Sequence, residues 1–416
     1  MKKVLKILLY GLAVLVVGAI IVSYIAYSSF SPSLKGIEPN ESDLAYFLDS
    51  YDDCRDAFLL KAGEMTAGFE NAELFRIEVP GSTDNDLSVD LFYIPPHTDT
   101  SRLIIMSSAI HGVEGFTGSA VQRMAMTELI EPGSNTDMGF LFIHAMNPYG
   151  FKYGRRVTEN NVDLNRNCSI DGTLYSTENQ GYADLYDFVN PSGVVKRGSL
   201  FNQFFYMVAI AKIVKASMPV LRQAVLQGQY QFPDGLYFGG KVPEPQIESI
   251  ASLLAPILKD YEYILEIDLH TGYGEIGKLH LFPNPIEDQK VRQLTGDLFA
   301  GYHIDWGDSD DFYTVNGDFC SFLGSLNPDA TFLSMPFEFG TLNSQVTFGS
   351  ITSLQNMILE NQGIQHGFKN QKQENKIKET SLRMYYPEEE EWRSVVISQS
   401  RDVLASSIEA FQKLSD

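Results

Sequence analysis

His111 and Glu114 stand three residues apart, just beyond the apolar run Leu103-Ile104-Ile105-Met106. An imidazole and a carboxylate at that spacing, at the end of a strand, can converge on one cation. Zn²⁺ favours such donors, and a catalytic zinc site uses three protein ligands and keeps one position open for water. A second apolar run, Tyr263 to Leu269, ends in His270-Thr271-Gly272 and supplies a third donor at another strand end. Taken alone, His-x-x-Glu arises often by chance, and a lone histidine at a strand end is ordinarily a hydrogen-bonded residue with no metal.

Between these two runs lie Asn147-Pro148-Tyr149-Gly150-Phe151, then Arg155-Arg156, then Asp163-Leu164-Asn165-Arg166-Asn167. Arg166 offers a planar fork matched to a carboxylate, which lysine does not reproduce. Arg155 and Arg156 have a plainer reading as surface ion pairs with Glu159 or Asp163, worth ~0–1 kcal/mol. Further on, Glu338 sits among apolar residues in Phe332-Leu333-Ser334-Met335-Pro336-Phe337-Glu338-Phe339-Gly340. Burial raises a carboxylate's pKa, which suits a general base or acid near neutrality. Its plainer reading is a buried carboxylate paired with an arginine.

These four segments, in this order, resemble the zinc carboxypeptidase (M14-type) superfamily, and most of all its bacterial DUF2817 branch. The resemblance runs over roughly residues 40–416. It implies one Zn²⁺ held by His111, Glu114 and His270, with Asp163 orienting the first histidine from behind. It implies that Asn165 and Arg166 grip a substrate carboxylate, that Arg155 or Arg156 polarises the scissile carbonyl, and that Glu338 is the catalytic glutamate. The expected reaction is hydrolysis of an amide next to a free carboxylate. No position matches the tyrosine that many carboxypeptidases place over the substrate.

His144, at the end of the run Leu141-Phe142-Ile143, is the rival third ligand, with its expected role either packing or support of the ligands from behind. His280 reads as a satisfied strand residue, and His97, His303 and His366 carry no signal. There is no Gly-x-Ser-x-Gly elbow and no phosphate-binding glycine loop, which weighs mildly against serine-hydrolase and nucleotide chemistry.

Residues 103–108, 140–145, 264–269 and 332–337 read as strands. They alternate with helices expected at 118–130, 200–216 and 245–258, followed by closing helices at 342–363 and 392–414. That alternation predicts an α/β fold with a mixed, mainly parallel sheet, its ligand site in the crevice past the strand ends. The resemblance makes this an α/β/α sandwich. Residues 168–260 form a long insertion-like region whose stretch from Gly228 to Gly240 mixes glycines with aromatics, as in loops that wall a pocket. Residues 371–378 should cross the surface as a loop or exposed helix, and the acidic run 388–391 should start the last helix.

The N-terminus is a separate object. Residues 7–27 carry no charge and would span about 31 Å as a helix, one bilayer core. Lys2, Lys3 and Lys6 precede them, which favours a single-pass anchor with a cytoplasmic N-terminus and an extracytoplasmic catalytic domain. A cleaved signal peptide competes with this, although its apolar core is ordinarily shorter. The expected division is residues 1–30 as anchor and 31–416 as catalytic domain.

Cys54, Cys168 and Cys320 do not make a disulfide framework, since an odd number leaves one free. A net charge of −22 argues against nucleic acid as a partner, because phosphates would be repelled over the whole surface. The leading expectation is therefore a membrane-tethered zinc hydrolase acting on a peptide. Its neighbours are an N-acyl amino acid deacylase of the aspartoacylase type and a binding protein that keeps the fold without catalysis.

Overall fold

A computed structural model describes residues 2–82, 84–97, 101–131, 137–306 and 315–414. Its centre is an eight-stranded sheet: β1 (Glu73–Glu78), β2 (Ser88–Ile94), β3 (Arg102–Ser108), β4 (Gly139–His144), β5 (Tyr263–Thr271), β6 (Leu279–Leu281), β7 (Thr331–Ser334) and β8 (Phe337–Phe339). The order is β1-β2-β4-β3-β5-β8-β6, with β7 also beside β5. β3, β4, β5, β7 and β8 run parallel to their neighbours within this group, while β1, β2 and β6 pair antiparallel at the two sides. The fold is the α/β class anticipated, with a mixed, mainly parallel sheet.

β3 and β4 carry apolar runs without alternation because both faces are covered, as parallel strands between helices must be. Every residue of β3 and β4 is buried. The helix Gly115–Glu128 packs on β3 and β5, Pro245–Leu258 on β1, and Glu390–Gln412 on β6. Gln122 ties the first of these to the sheet, its Nε2 donating to the carbonyls of Met106 and Ile143. Trp392, fully buried, donates its indole N–H to Gly340 O at 2.8 Å and locks the last helix to the end of β8.

The strand expected at 332–337 is two strands. Pro336 has no N–H to give to a ladder, and the chain breaks there after Met335 donates to Glu266 O. Both halves then pair with β5, and β8 is registered so that Glu338 lies opposite His270. The helix expected at 200–216 is likewise broken, into Leu200–Gln203 and Phe205–Ala216. The polar stretch 371–378 belongs to a longer helix, Gln371–Tyr385, whose last residues Met384 and Tyr385 are buried. Glu390 and Glu391 fill the first turn of the final helix, where negative charge complements the helix dipole.

The N-terminal helix runs Lys2–Ser28. Within it Leu9–Ser28, with mean hydropathy 2.4, is long and apolar enough to cross a membrane. Its last turns touch the rest of the chain: Tyr27 stacks on Tyr206 at 4.5 Å and meets Phe348 edge-on, and the Ser23 and Tyr206 hydroxyls share a hydrogen bond.

Candidate metal centre and its cleft

The centre is assembled where the loops after β3 and β4 interlock. Ala109 takes a left-handed φ of +58° and turns the chain off the end of β3, so that His111 stands past the sheet edge. Gly112 and Val113 donate their N–H groups to the carbonyls of Arg156 and Arg155 at 3.1 and 2.8 Å. A Cβ on Gly112 would lie 2.3 Å from Gly150 Cα, so only glycine permits that approach. Asn147 holds the other side: its Oδ1 accepts from Gly150 N–H at 2.8 Å, and its Nδ2 donates to Arg156 O at 3.1 Å. The Asn-Pro-Tyr-Gly segment thereby fixes where Arg156 begins.

His111, Glu114 and His270 meet. One donor atom from each lies within 4.8 Å of the other two, and all three residues are buried. Glu114 sits between the rings, with Oε1 3.0 Å from His111 Nδ1 and Oε2 3.0 Å from His270 Nδ1. The far nitrogen of each ring faces a carboxylate: His111 Nε2 lies 3.4 Å from Asp163 Oδ1, and His270 Nε2 lies 2.6 Å from Asp268 Oδ2. A carboxylate behind each imidazole, with the opposite nitrogen turned to a shared point, is how proteins orient metal-binding histidines. The donor set fits a divalent cation such as Zn²⁺.

The charges are mutually supporting. Burial alone would raise the Glu114 carboxyl, but the two histidines beside it hold it at about 2. Burial would lower His270, yet Asp268 and Glu114 hold its pKa well above the usual range. Asp163 is kept far below the carboxylate range against its burial, chiefly by Arg156 and His111.

The two neighbouring arginines part company. Arg156 lines the cleft: its Nε donates to Asp163 Oδ2 at 3.0 Å and its Nη2 lies 2.6 Å from His111 Nε2. Arg155 turns away and donates to Glu360 Oε1 at 2.8 Å and Asn161 Oδ1 at 3.3 Å. It does not line the cleft. Of the two, only Arg156 has its side chain on the His111 side of the loop. Glu159 accepts from Ser82.

Asn165 and Arg166 both line the cleft. Asn165 Oδ1 accepts from Phe319 N–H at 2.9 Å. Arg166 is braced by backbone, donating Nε and Nη2 to Leu226 O and Nη1 to Asn165 O. Of its five N–H donors, one on each terminal nitrogen has no such bond. Glu338 stands across from His270 at the cleft floor, half-buried, with Oε1 accepting from Tyr273 N–H at 2.8 Å. Enclosure by protein, then the charge on Glu114, push its carboxyl up to about 8.

Four further residues around the centre, Asp268, Glu266, Tyr237 and Tyr385, carry no motif in the sequence. Asp268, two residues before His270 on the same face of β5, is the second orienting carboxylate; strand alternation could have pointed to it. Behind it Glu266 hydrogen-bonds Ser107 and Ser334, and burial and the Asp268 charge push its carboxyl to about 8. Glu266, Asp268 and Cys320 form a second group of closely spaced donors, but Ser107 and His270 already take up the Asp268 oxygens. Tyr237 lies between Arg156 and Arg166, whose guanidinium carbons are 5.2 and 5.6 Å from its ring centroid. Tyr385, buried at the helix end, also lines the cleft. Tyr237 belongs to the stretch 228–240 expected to wall a pocket, but no spacing singles it out there, and none marks Tyr385.

Two other histidines are buried outside the centre. His144 stacks on Phe58 at 4.6 Å and lies 3.2 Å from Ser119 Oγ, outside the donor group. His280 pairs with Asp305 at 2.7 Å. All three cysteines are free and buried.

Among solved structures, the chain is similar to a candidate carboxypeptidase A from Shewanella denitrificans OS-217, with 12% identity and a TM-score of 0.41 over 77% of this chain and 70% of that one. It is similar to the carboxypeptidase A from Helicoverpa armigera, with 13% identity and a TM-score of 0.38 over 82% and 75%. An aspartoacylase family protein from Mesorhizobium loti matches with 15% identity and a TM-score of 0.34 over 69% and 67%. Likeness at this level leaves activity and substrate to be argued from the site's own residues. No curated protein matches the sequence. The family model for DUF2817, a protein of unknown function, matches residues 47–399, and the chain belongs to that family.

Proposed function

We propose that this protein is a metal-dependent hydrolase, with one Zn²⁺ held by His111, Glu114 and His270, that cleaves an amide bond next to a free carboxylate. The observation that carries the reading is the arrangement of these three donors within 4.8 Å of one another, each histidine backed by its own aspartate and Glu338 facing them from β8. When bound in such a site, the metal lowers the pKa of its water to about 7 and polarises a carbonyl. The chain's residues supply the rest. Arg166 keeps two donors for the substrate carboxylate, and Asn165 stands beside it. Arg156, anchored on Asp163, presents its guanidinium where negative charge develops on the carbonyl oxygen, a contribution worth ~10²–10³ in rate. Glu338 takes a proton from the attacking water and returns it to the leaving amine.

The N-terminal helix tethers the protein as a single-pass anchor, its lysine-flanked end in the cytoplasm and residues 31–416 forming the catalytic domain on the other side. Glu338→Gln tests the chemistry: the variant should bind metal at the same stoichiometry and lose hydrolysis of blocked dipeptides and N-acyl amino acids. Unchanged turnover in that variant would remove Glu338 from the mechanism.

A further inference from the structure

The cleft does not end at the metal centre. A cavity of about 430 Å³ runs from Glu338 and Arg166 into a chamber between the helices Phe205–Ala216, Met218–Leu226 and Thr347–His366. That volume falls within the range of small-molecule sites. Leu185, Val189, Ile213, Leu221, Val225 and Leu354 supply its inner wall. Lys212, Arg222, Ser350 and Ser353 also line the cavity, but against its apolar residues a peptide backbone would lose its water without partners, whereas methylenes gain ~0.8 kcal/mol each on burial.

The chamber's surroundings point the same way. Its helices belong to a hydrophobic cluster separate from the one under the sheet, and Tyr24 and Tyr27 of the N-terminal apolar helix pack against that cluster. That contact falls, through Tyr206 and Phe348, on Phe205–Ala216 and Thr347–His366, two of the three helices around the chamber. The chamber is thus walled by the elements that lie closest to where a lipid-borne chain would arrive.

We propose that the substrate carries a long hydrocarbon chain and that the chamber takes this chain while the amide lies at His111, Glu114 and His270. The inference rests on the hydrolase reading for the amide and on the cavity alone for the chain. Two positions on the substrate could supply the chain, the acyl group or the side chain of the carboxylate-bearing residue. N-palmitoylglycine, N-acetyl-2-aminohexadecanoate and N-acetylglycine separate them.

The test is equilibrium binding of these three compounds to the full-length protein in neutral detergent, by competition with a fluorescent fatty-acid probe, followed by turnover of the Zn²⁺-loaded protein. One of the two long-chain compounds should bind at least tenfold tighter than N-acetylglycine, and Leu221→Trp or Val225→Trp should erase most of that difference. Equal binding of all three compounds, or chain-dependent binding that both tryptophan variants leave intact, overturns the proposal. Chain-dependent binding without hydrolysis by the loaded protein keeps the chamber and refutes the hydrolase reading. Hydrolysis of short substrates without any chain preference does the reverse.

Discussion

At the scale of single residues, the centre depends on the groups behind the ligands as much as on the ligands. His270 is aimed by Asp268 at 2.6 Å and His111 by Asp163 at 3.4 Å. Orienting carboxylates of this kind typically contribute 10–100-fold to metal affinity. Asp268→Asn should therefore weaken Zn²⁺ binding by about that factor in a chelator competition while the far-ultraviolet circular dichroism stays unchanged. Unaltered affinity would mean that Asp268 merely fills space. The arginine pair supplies a second contrast. Arg156→Lys removes the fork beside His111 and should lower kcat by ~10² or more with little change in melting temperature. Arg155→Lys disturbs a buried pair with Glu360 and should lower the melting temperature instead. A reversed pattern would reassign the two.

At the scale of elements, what was legible in the sequence followed from burial. β3 and β4 are covered on both faces, and their apolar runs, with Tyr263-Ile264-Leu265 of β5, make the strands stand out; His111 and Glu114 lie past the end of β3, and His270 lies within the end of β5. β1 pairs only along one side and is largely exposed, so no clear pattern marks it. The break at Pro336 was written in the sequence as a residue without an N–H, yet only the pairing of both halves with β5 shows that it delivers Glu338 opposite His270. The residues of the centre that come from neighbouring positions, His111 with Glu114 and Asp163 with Arg166, were legible. Tyr237 and Tyr385 were not, because their place is set by packing between elements far apart in the chain.

β4 also carries a pH-dependent element. Burial holds His144 at about 4, below the ~6.5 of an unfolded chain. Between those values the unfolded chain binds a proton that the folded one refuses. Stability is therefore unaffected by His144 above pH 6.5 and falls as pH drops from 6.5 towards 4, by on the order of 3 kcal/mol at most. Urea unfolding at stepped pH should show that slope, and His144→Gln should flatten it. An equal slope in the variant would place the acid sensitivity elsewhere.

For the whole molecule, the apolar helix and the sheet domain make separate physical demands. Leu9–Ser28 satisfies a bilayer by length and composition, and the helix end stays attached to Tyr206 and Phe348. As an anchor it should keep the full-length chain in the membrane fraction after alkaline washing, with residues 31–416 open to protease only from the extracytoplasmic side. Recovery of a shorter soluble chain beginning near residue 28 would instead identify a cleaved leader.

All of this turns on two histidines and a glutamate, from the loop after β3 and the end of β5, closing on one cation. The most direct measurement is the metal content and Zn K-edge absorption spectrum of the full-length protein after Zn²⁺ loading and dialysis, alongside His270→Ala. One zinc per chain, with two imidazole nitrogens and carboxylate oxygen in its shell, and loss of that zinc in His270→Ala, is the predicted result. Substoichiometric metal, or zinc held unchanged without His270, would contradict it.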